Sequence, residues 1–225
     1  MSAAITFIPT VSAATNYTDG SPGKEAVNGI ETWTGSHTLV GNVTVPAGAT
    51  LKINAGSTIT LAAGAALFID GAICAGDGSC GAAAGGTIGF NWQAPINESQ
   101  STWCVDEEFS WDASCGEGIV LNSGIDEAIS SIKNVAINNA YGFPLKIGDV
   151  KEYAALIFNG ASITAEGLSF SGINTSSVLV TNQAAPILSN GAFTVGNDEQ
   201  GFRGPAISSY TAGKNPQERF TILNS

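Results

Sequence analysis

The sequence predicts an all-β protein, folded as a right-handed parallel β-helix in which a single chain winds into a solenoid. Three observations lead to this prediction. Pairs of apolar residues recur every eight positions between Asn42 and Ala72, and glycines share that interval. The 225-residue chain also contains 28 glycines and only 12% charged residues. Such a composition favours strands and turns over helices.

The eight-residue period divides NVTVPAGATLKINAGSTITLAAGAALFIDGA into short strands. The two apolar residues of each pair are separated by one other residue, so both point to the same face of a pleated strand. Three such units are expected to make one triangular coil. The pairs are Val43/Val45, Leu51/Ile53, Ile59/Leu61 and Leu67/Ile69.

Each strand is followed by a three-residue bend that ends in glycine, at Gly48, Gly56 and Gly64. Glycine adopts a positive φ without steric cost. A helix is excluded because the period does not follow 3.6 residues. Antiparallel hairpins usually carry two-residue Asn-Gly or Asp-Gly turns, so these bends favour a solenoid, with a β-sandwich as the alternative.

A second repeat occurs later in the chain. The segment 155–161 (ALIFNGA) is echoed by 185–192 (APILSNGA), and 220–224 (FTILN) begins a third copy. We expect the recurring asparagines to stack between coils. Because the chain stops inside a repeat, we also expect the parent protein to continue beyond Ser225. The segment 123–132 is either a short helix or an irregular turn with a strand.

The chain divides into a short leader and one domain. Residues 1–14 are apolar and close on Ser12, Ala13 and Ala14, as a secretory signal does, although an N-terminal strand is the alternative. Residues 15–225 are predicted to form the parallel β-helix domain, with a disulfide-bearing insertion near 81–119.

Four cysteines form two local pairs, Cys74 with Cys80 and Cys104 with Cys115. Local disulfides are the simplest of the three connectivities, and each short loop would contribute about 2 to 3 kcal/mol. Neither spacing matches a zinc knuckle. Disulfides persist in oxidising compartments, so we expect a secreted, extracellular or cell-surface protein, or a periplasmic one.

The charge balance excludes two classes of partner. Eight basic and nineteen acidic side chains give a net charge of −11, which repels nucleic acid and anionic membrane surfaces. No apolar run reaches the ~18 residues of a membrane-spanning helix. The oligomeric state is not indicated by the sequence.

The run from Thr38 to Ala72, of the form V-x-V-P-x-G-x-x-L-x-I-x-x-G-x-x-I, resembles the first coils of right-handed parallel β-helix proteins of the pectin-lyase-like type. The segment 131–140 (SIKNVAINNA) resembles their internal coils. The resemblance implies an architecture shared by lyases, hydrolases, adhesins and passive surface proteins, so function must come from a site.

No catalytic residue is predicted. Glycoside hydrolysis requires two carboxyl groups about 5 to 10 Å apart, hence acids at equivalent positions of adjacent coils, and the regular coils contain almost no acid besides Asp70. Asp70 precedes Gly71 and is first a turn signal. His37 has no evident serine or aspartate partner for a triad.

The segment between Cys104 and Cys115 concentrates acids and aromatics. Hard carboxylate oxygens there could bind Ca²⁺, the one cofactor considered, and the aromatic rings could stack on sugars. The alternative is a solvated acidic loop whose aromatics pack on the solenoid. The acids are Asp106, Glu107, Glu108 and Asp112, and the aromatics are Trp103, Phe109 and Trp111.

Thr58 and Thr60 form a single Thr-x-Thr. An ice-binding array needs such pairs at every coil. Lys52 and Phe68 occupy the positions eight residues away from Thr60, so the sequence alone argues against that function.

The sequence therefore favours a non-catalytic module, either a structural scaffold or an adhesin, whose partner is an extracellular polysaccharide or a cell-surface glycan. One alternative is the N-terminal part of a polysaccharide lyase or glycoside hydrolase, with its catalytic coils beyond residue 225. A purely structural spacer is another.

Overall fold

The computed structural model describes residues 25–27, 29–93, 116–147, 150–173, 175–193, 206–210 and 221–224. Their strands form three sheets, and from the first strand to the twelfth successive strands of the chain belong to successive sheets. The chain therefore passes through all three sheets before it returns to the first, one coil further along. This arrangement confirms the parallel β-helix and is incompatible with the β-sandwich alternative. The predicted leader, residues 1–14, lies outside the described residues.

The first three coils contain nine strands. They are β1 (Glu25–Ala26), β2 (Ile30–Trp33), β3 (Ser36–Leu39), β4 (Val43–Val45), β5 (Thr50–Ile53), β6 (Thr58–Leu61), β7 (Ala66–Ile69), β8 (Ala72–Ala75) and β9 (Ile88–Trp92). A single 3-10 turn, Gly78–Cys80, lies between β8 and β9.

The later coils contain eleven described strands. They are β10 (Gly118–Asn122), β11 (Ser131–Lys133), β12 (Val135–Asn138), β13 (Phe143–Ile147), β14 (Val150–Asn159), β15 (Thr164–Glu166), β16 (Ser169–Ser171), β17 (Ser176–Thr181), β18 (Ile187–Ser189), β19 (Ile207–Tyr210) and β20 (Thr221–Leu223).

Each sheet collects one strand from each coil. Sheet 1 has the order β1-β4-β7-β10-β14-β17-β19, sheet 2 the order β2-β5-β8-β11-β15-β18-β20, and sheet 3 the order β3-β6-β9-β12-β16. The pairing within each of these orders is parallel throughout. Val43 lies beside Leu67, three eight-residue units later, as the triangular coil predicts.

Apolar side chains from all three sheets fill the interior. In sheet 2 one inward column runs through every coil, and its members pair in register. Burying each Leu or Ile side chain contributes about 1.5 to 3 kcal/mol, so this column stabilises the packing of each coil on the next. Its members are Trp33, Ile53, Ala75, Ile132, Ala165, Leu188 and Ile222, and all but the last are buried.

The corners are built from residues with positive φ. Gly48, Gly56 and Gly64 have φ values of 83°, 80° and 79°, which confirms the predicted glycine bends. Asparagine takes this conformation in later coils, for example Asn134 with φ 52°. The segment 123–132 is a turn that leads into β11, and it contains no helix.

The structure corrects the predicted equivalence of the three late repeats. Asn159 ends β14 in sheet 1, whereas Asn190 follows β18 in sheet 2, so the first copy does not stack on the second. The third copy does stack, because Ser189 lies beside Leu223 and the Asn190 backbone N–H donates to the Leu223 carbonyl.

Part of the range 81–119, where the insertion is predicted, belongs to the strands of the solenoid. Phe90 and Trp92 are buried in β9, and the Trp92 indole donates to the Ala65 carbonyl. At the other end, β10 begins at Gly118 and pairs with β7. Residues 94–115, between these two strands, lie outside the described residues.

A hairpin covers part of the outer face of sheet 1. Strand β13 runs antiparallel to the first half of β14, and Phe143 packs edge-on against Phe68, with ring centroids 5.1 Å apart. The hairpin contributes to a second hydrophobic cluster outside the solenoid, which also includes Val120, Ile157 and Leu179.

Candidate functional site

The predicted calcium and sugar-stacking residues all fall in the range 94–115, outside the described residues. This applies to the acids Asp106, Glu107, Glu108 and Asp112, to the aromatics Trp103, Phe109 and Trp111, and to the Cys104/Cys115 pair. Their roles therefore stay predictions.

The other predicted cysteine pair is joined. Cys74 and Cys80 form a disulfide with a Cα–Cα distance of 5.8 Å. Cys74 lies on β8 in sheet 2, and Cys80 ends the 3-10 turn that follows. The disulfide therefore closes a short turn onto the outer face of sheet 2.

The closed turn places Asp77 at the centre of a polar cluster, which we call the Asp77 cluster. One carboxylate oxygen, Oδ1, accepts hydrogen bonds from the backbone N–H and the hydroxyl of Ser79, at 2.9 and 2.8 Å. The other, Oδ2, accepts the Ser131 hydroxyl at 2.7 Å. The Lys133 ammonium lies 3.4 Å from Oδ1. Ser131 and Lys133 both project from β11 because they are two residues apart on one strand.

The Asp77 cluster extends to the next coil. Lys133 pairs in register with Glu166 on β15, and its Nζ lies 3.8 Å from the carboxylate. Glu166 in turn accepts a hydrogen bond from the Asn190 side-chain amide at 3.1 Å. Charged and polar side chains thus connect four successive coils on the outside of sheet 2.

The electrostatics of Asp77 favour a structural role over proton transfer. Burial alone would raise its pKa, but hydrogen bonds from Ser131 and Ser79, together with Lys133, lower the pKa from 3.8 to about 2. A general base works best with a pKa near the working pH. Such an acidic carboxyl is a poor base for the Ser131 hydroxyl, and its lone pairs instead hold the turn in place.

A second buried carboxylate, Glu117, connects coils at another corner. Its two oxygens accept the backbone N–H groups of Gly64 at 3.0 Å and Tyr141 at 2.8 Å. Burial raises the pKa of the Glu117 carboxyl, although both hydrogen bonds favour its charged form. The side chain satisfies two backbone donors that would otherwise lack an acceptor.

Asp70 proves to be one end of a side-chain ladder at the corner between sheets 1 and 2. The Asn122 amide donates to Asp70 at 2.9 Å, and the Asn159 amide donates to Asn122 at 2.9 Å. The Asn182 amide donates to Asn159 in the same way. The predicted asparagine stacking therefore exists, but its members differ from those that the repeat suggested.

His37 belongs to the interior. It stacks on Trp33 with ring centroids 5.2 Å apart, and its Nε2 accepts the Thr34 backbone N–H at 3.0 Å. It lies in β3 beside Ile59. This placement accounts for the burial of His37 by its packing in the interior.

The interior of the solenoid contains a small void that has no room for a ligand. This apolar void of about 10 Å³ is lined by Ile73, Phe90, Ile132 and Leu168, among others. It is close to the minimum size for one water and has no polar wall.

Two kinds of feature are missing from the described ranges. They contain no cluster of three or more His, Cys, Asp or Glu side chains that could hold a metal ion. They also contain no helix with the length and apolar character needed to cross a bilayer.

Sequence reasoning missed Asp77, Ser131, Lys133 and Glu117. Asp77 had a local signal, because it lies midway between Cys74 and Cys80. Glu117 had none, because its partners are backbone groups far away in sequence. In comparisons with known proteins, no family model, no curated protein and no solved structure matches this chain.

Proposed function

We infer that this protein is a secreted or cell-surface scaffold module, an adhesin whose solenoid displays the 103–112 segment toward an extracellular polysaccharide or cell-surface glycan. The observation that carries the proposal is the unbroken inward column of sheet 2, which joins seven coils from Trp33 to Ile222. A column of this kind supports a stiff rod, because every coil packs on its neighbours.

The Asp77 cluster supports the same proposal. A disulfide, a buried carboxylate and a lysine connect adjacent coils on the outside of sheet 2. The Lys133 ammonium lies within ion-pair distance of the carboxylates of both Asp77 and Glu166. A disulfide combined with ion pairs between coils suits a protein that stays folded in an oxidising extracellular environment.

Glycan binding is assigned to Trp103, Phe109 and Trp111, because aromatic faces pack against the apolar faces of sugar rings. The test is retention of the purified chain on a panel of extracellular polysaccharides and glycans. We expect Trp103→Ala with Trp111→Ala to abolish retention. The matched control is Tyr141→Ala, which removes an exposed aromatic from the solenoid surface while leaving the backbone N–H that Glu117 accepts.

Two outcomes would contradict the adhesin proposal. Failure of the wild-type chain to bind any glycan would leave a structural spacer, and equal losses in the Trp and Tyr141 variants would place binding elsewhere. Ca²⁺ is proposed for the same segment, so adding it should raise the melting temperature. Asp106→Ala with Asp112→Ala should remove that increase.

The competing proposal is the N-terminal part of a polysaccharide lyase or glycoside hydrolase, for which the resemblance to pectin-lyase-like proteins is the support. It predicts that a longer form of the protein depolymerises an acidic or neutral polysaccharide. The measurement is the appearance of unsaturated uronides or new reducing ends. For localisation, we propose labelling of the chain on intact cells by a reagent that cannot enter them.

A further inference from the structure

The outer face of sheet 3 carries two in-register columns of short side chains. One residue in each column comes from each of β3, β6, β9, β12 and β16, so the two columns cover five coils. The first column is Ser36, Thr58, Gly89, Ala136 and Ser169, and the second is Thr38, Thr60, Asn91, Asn138 and Ser171.

All ten positions of this sheet 3 face are uncharged, in a chain whose net charge is −11. The outer face of sheet 2 is different, since it carries the Asp77, Lys133 and Glu166 charges. Charged groups hold their hydration water tightly, and removing that water is costly. The sheet 3 face is therefore suited to an uncharged partner.

The polar groups on this face are available to that partner. Ser36, Thr38, Thr58 and Ser171 are exposed. The hydroxyls of Thr38, Thr58 and Thr60 make no hydrogen bond with any described residue. The Asn138 amide donates to Asn91 at 2.9 Å, which aligns two amides along the column. Because every side chain here is short, none projects far above the sheet.

The columns form a two-dimensional repeat. Residues on adjacent strands are separated by about 4.8 Å, and the two columns, two residues apart along each strand, by about 6.6 Å. Hydroxyl, amide and methyl groups therefore recur on a grid that is set by the backbone. These two spacings are close to repeat distances between water oxygens on the surface of ice.

We propose that the sheet 3 face binds ice. Ice is an uncharged, periodic lattice of hydrogen-bond donors and acceptors, so it matches both the lack of charge and the grid. A sugar-binding face would be expected to offer aromatic rings for stacking, and none of the ten positions is aromatic.

The register removes the objection raised by Lys52 and Phe68. One of the five coils carries Thr-x-Thr, and the other four carry pairs of other short, uncharged residues at the same positions. Lys52 lies on β5 in sheet 2 and Phe68 on β7 in sheet 1, so neither shares a face with Thr60. The true neighbours of Thr60 are Thr38 and Asn91. Eight residues advance the chain by one side of the triangle, whereas a full coil is needed to return to the same face.

The test is inhibition of ice recrystallisation, measured as crystal size after a frozen solution of the full chain is annealed just below its melting point. We expect small crystals with the wild-type chain and loss of this effect with Thr60→Tyr, whose ring stands above the grid. Thr164→Tyr is the matched control, because Thr164 is exposed on the outer face of sheet 2. The Thr164→Tyr variant should inhibit ice recrystallisation to the same extent as the wild-type chain.

Thermal unfolding shows whether Thr60→Tyr is folded, and Thr38→Tyr on the neighbouring coil provides a second variant. Absence of inhibition by the wild-type chain would overturn the proposal. So would equal loss in Thr60→Tyr and Thr164→Tyr, or Thr60-dependent binding to crystalline cellulose without an effect on ice. Because residues 103–112 do not belong to the two columns, the Trp103/Trp111 variant should still inhibit, which separates this site from the proposed glycan site.

Discussion

The first three coils and the later coils turn their corners in different ways. Between residues 25 and 93 the chain bends through glycines such as Gly48, Gly56 and Gly64. From residue 116 onwards it also bends through asparagines with positive φ, among them Asn134, Asn139 and Asn182, alongside glycines such as Gly160. Glycine corners carry no side chain, whereas asparagine corners can add hydrogen bonds between coils.

The later coils are also less regular in length. Asn122 and Asn159 are stacked neighbours at 37 residues apart, whereas Asn159 and Asn182 are neighbours at 23. Both halves nevertheless share the interior column of sheet 2. The comparison shows that the buried column sets the register between coils, while the corners absorb differences in length.

The strongest test of this conclusion is to remove the same part of the column in each half. Ile53→Ala and Ile132→Ala both delete a buried side chain from the inward column. Each should lower the free energy of unfolding by about 3 kcal/mol, measured by denaturant titration. Similar losses are expected because both side chains are buried in the same column and both pair with Ala75, which lies between them.

Thr164→Ala, on the outer face beside this column, is the control and should change the stability little. A much smaller loss for Ile132→Ala than for Ile53→Ala would contradict a common core. It would indicate that the later coils pack loosely and that only the regular half has a fixed interior.

Replacing different glycines of the regular half by alanine should lower the free energy of unfolding by different amounts. A methyl group on Gly71 would clash with the carbonyl oxygens of Pro46 and Ala49 on the preceding coil. Gly56 has positive φ but open space around it. Gly71→Ala should therefore cost about 2 to 3 kcal/mol through overpacking, and Gly56→Ala about 1 kcal/mol through backbone strain.

Thermal unfolding of the two glycine variants checks this order. Equal costs would mean that backbone conformation, and not the close approach of coils, limits the corners. A larger cost at Gly56 than at Gly71 would contradict the packing of the first corner altogether.

The regular half could be predicted from the sequence because its strands, bends and coil size all follow one period. Val43 and Leu67 were expected on the same face, and the structure places them there. Phe90 and Trp92 were missed, because the segment between Ala75 and Ile88 breaks the period before β9 begins. The β13 hairpin was missed because nothing local shows that it folds back over sheet 1.

The candidate site was less predictable for a related reason. The Cys74–Cys80 pairing is local, and it was predicted. The partners of Asp77 on β11 are 54 residues or more away, and only the register between coils 3 and 4 brings them together. Because the eight-residue period breaks between those two coils, the sequence could not predict which of their residues lie side by side.

The Asp77 cluster makes the junction between the two halves sensitive to acid. Its folded pKa of about 2 is below the ordinary value of 3.8, so its contribution is fully present above about pH 4. That contribution is lost as the pH falls through 2. Asp77→Asn should lower stability at pH 7 by about 1 to 2 kcal/mol, less than the full pKa shift implies, because the Lys133 partner is partly exposed.

The measurement is the difference in unfolding free energy between the wild type and Asp77→Asn from pH 7 to pH 2. This difference should shrink below pH 4, whereas other carboxylates affect both proteins alike. A constant difference across that range would contradict an ionised Asp77 in the folded state. Asp126→Asn, an exposed turn acid, is the matched control.

The smallest effect on the free energy of unfolding is expected at the asparagine ladder, where side-chain hydrogen bonds connect the later coils. Asn159→Ala removes the hydrogen bond donated to Asn122 and the one accepted from Asn182. Because the corner is only half-buried, water replaces part of both bonds, and the loss should be about 1 kcal/mol. Gln93→Ala, an exposed amide in the regular half, should have almost no effect when measured by the same denaturant titration. If the two variants lose the same stability, the side-chain ladder adds nothing to the stability of the corner.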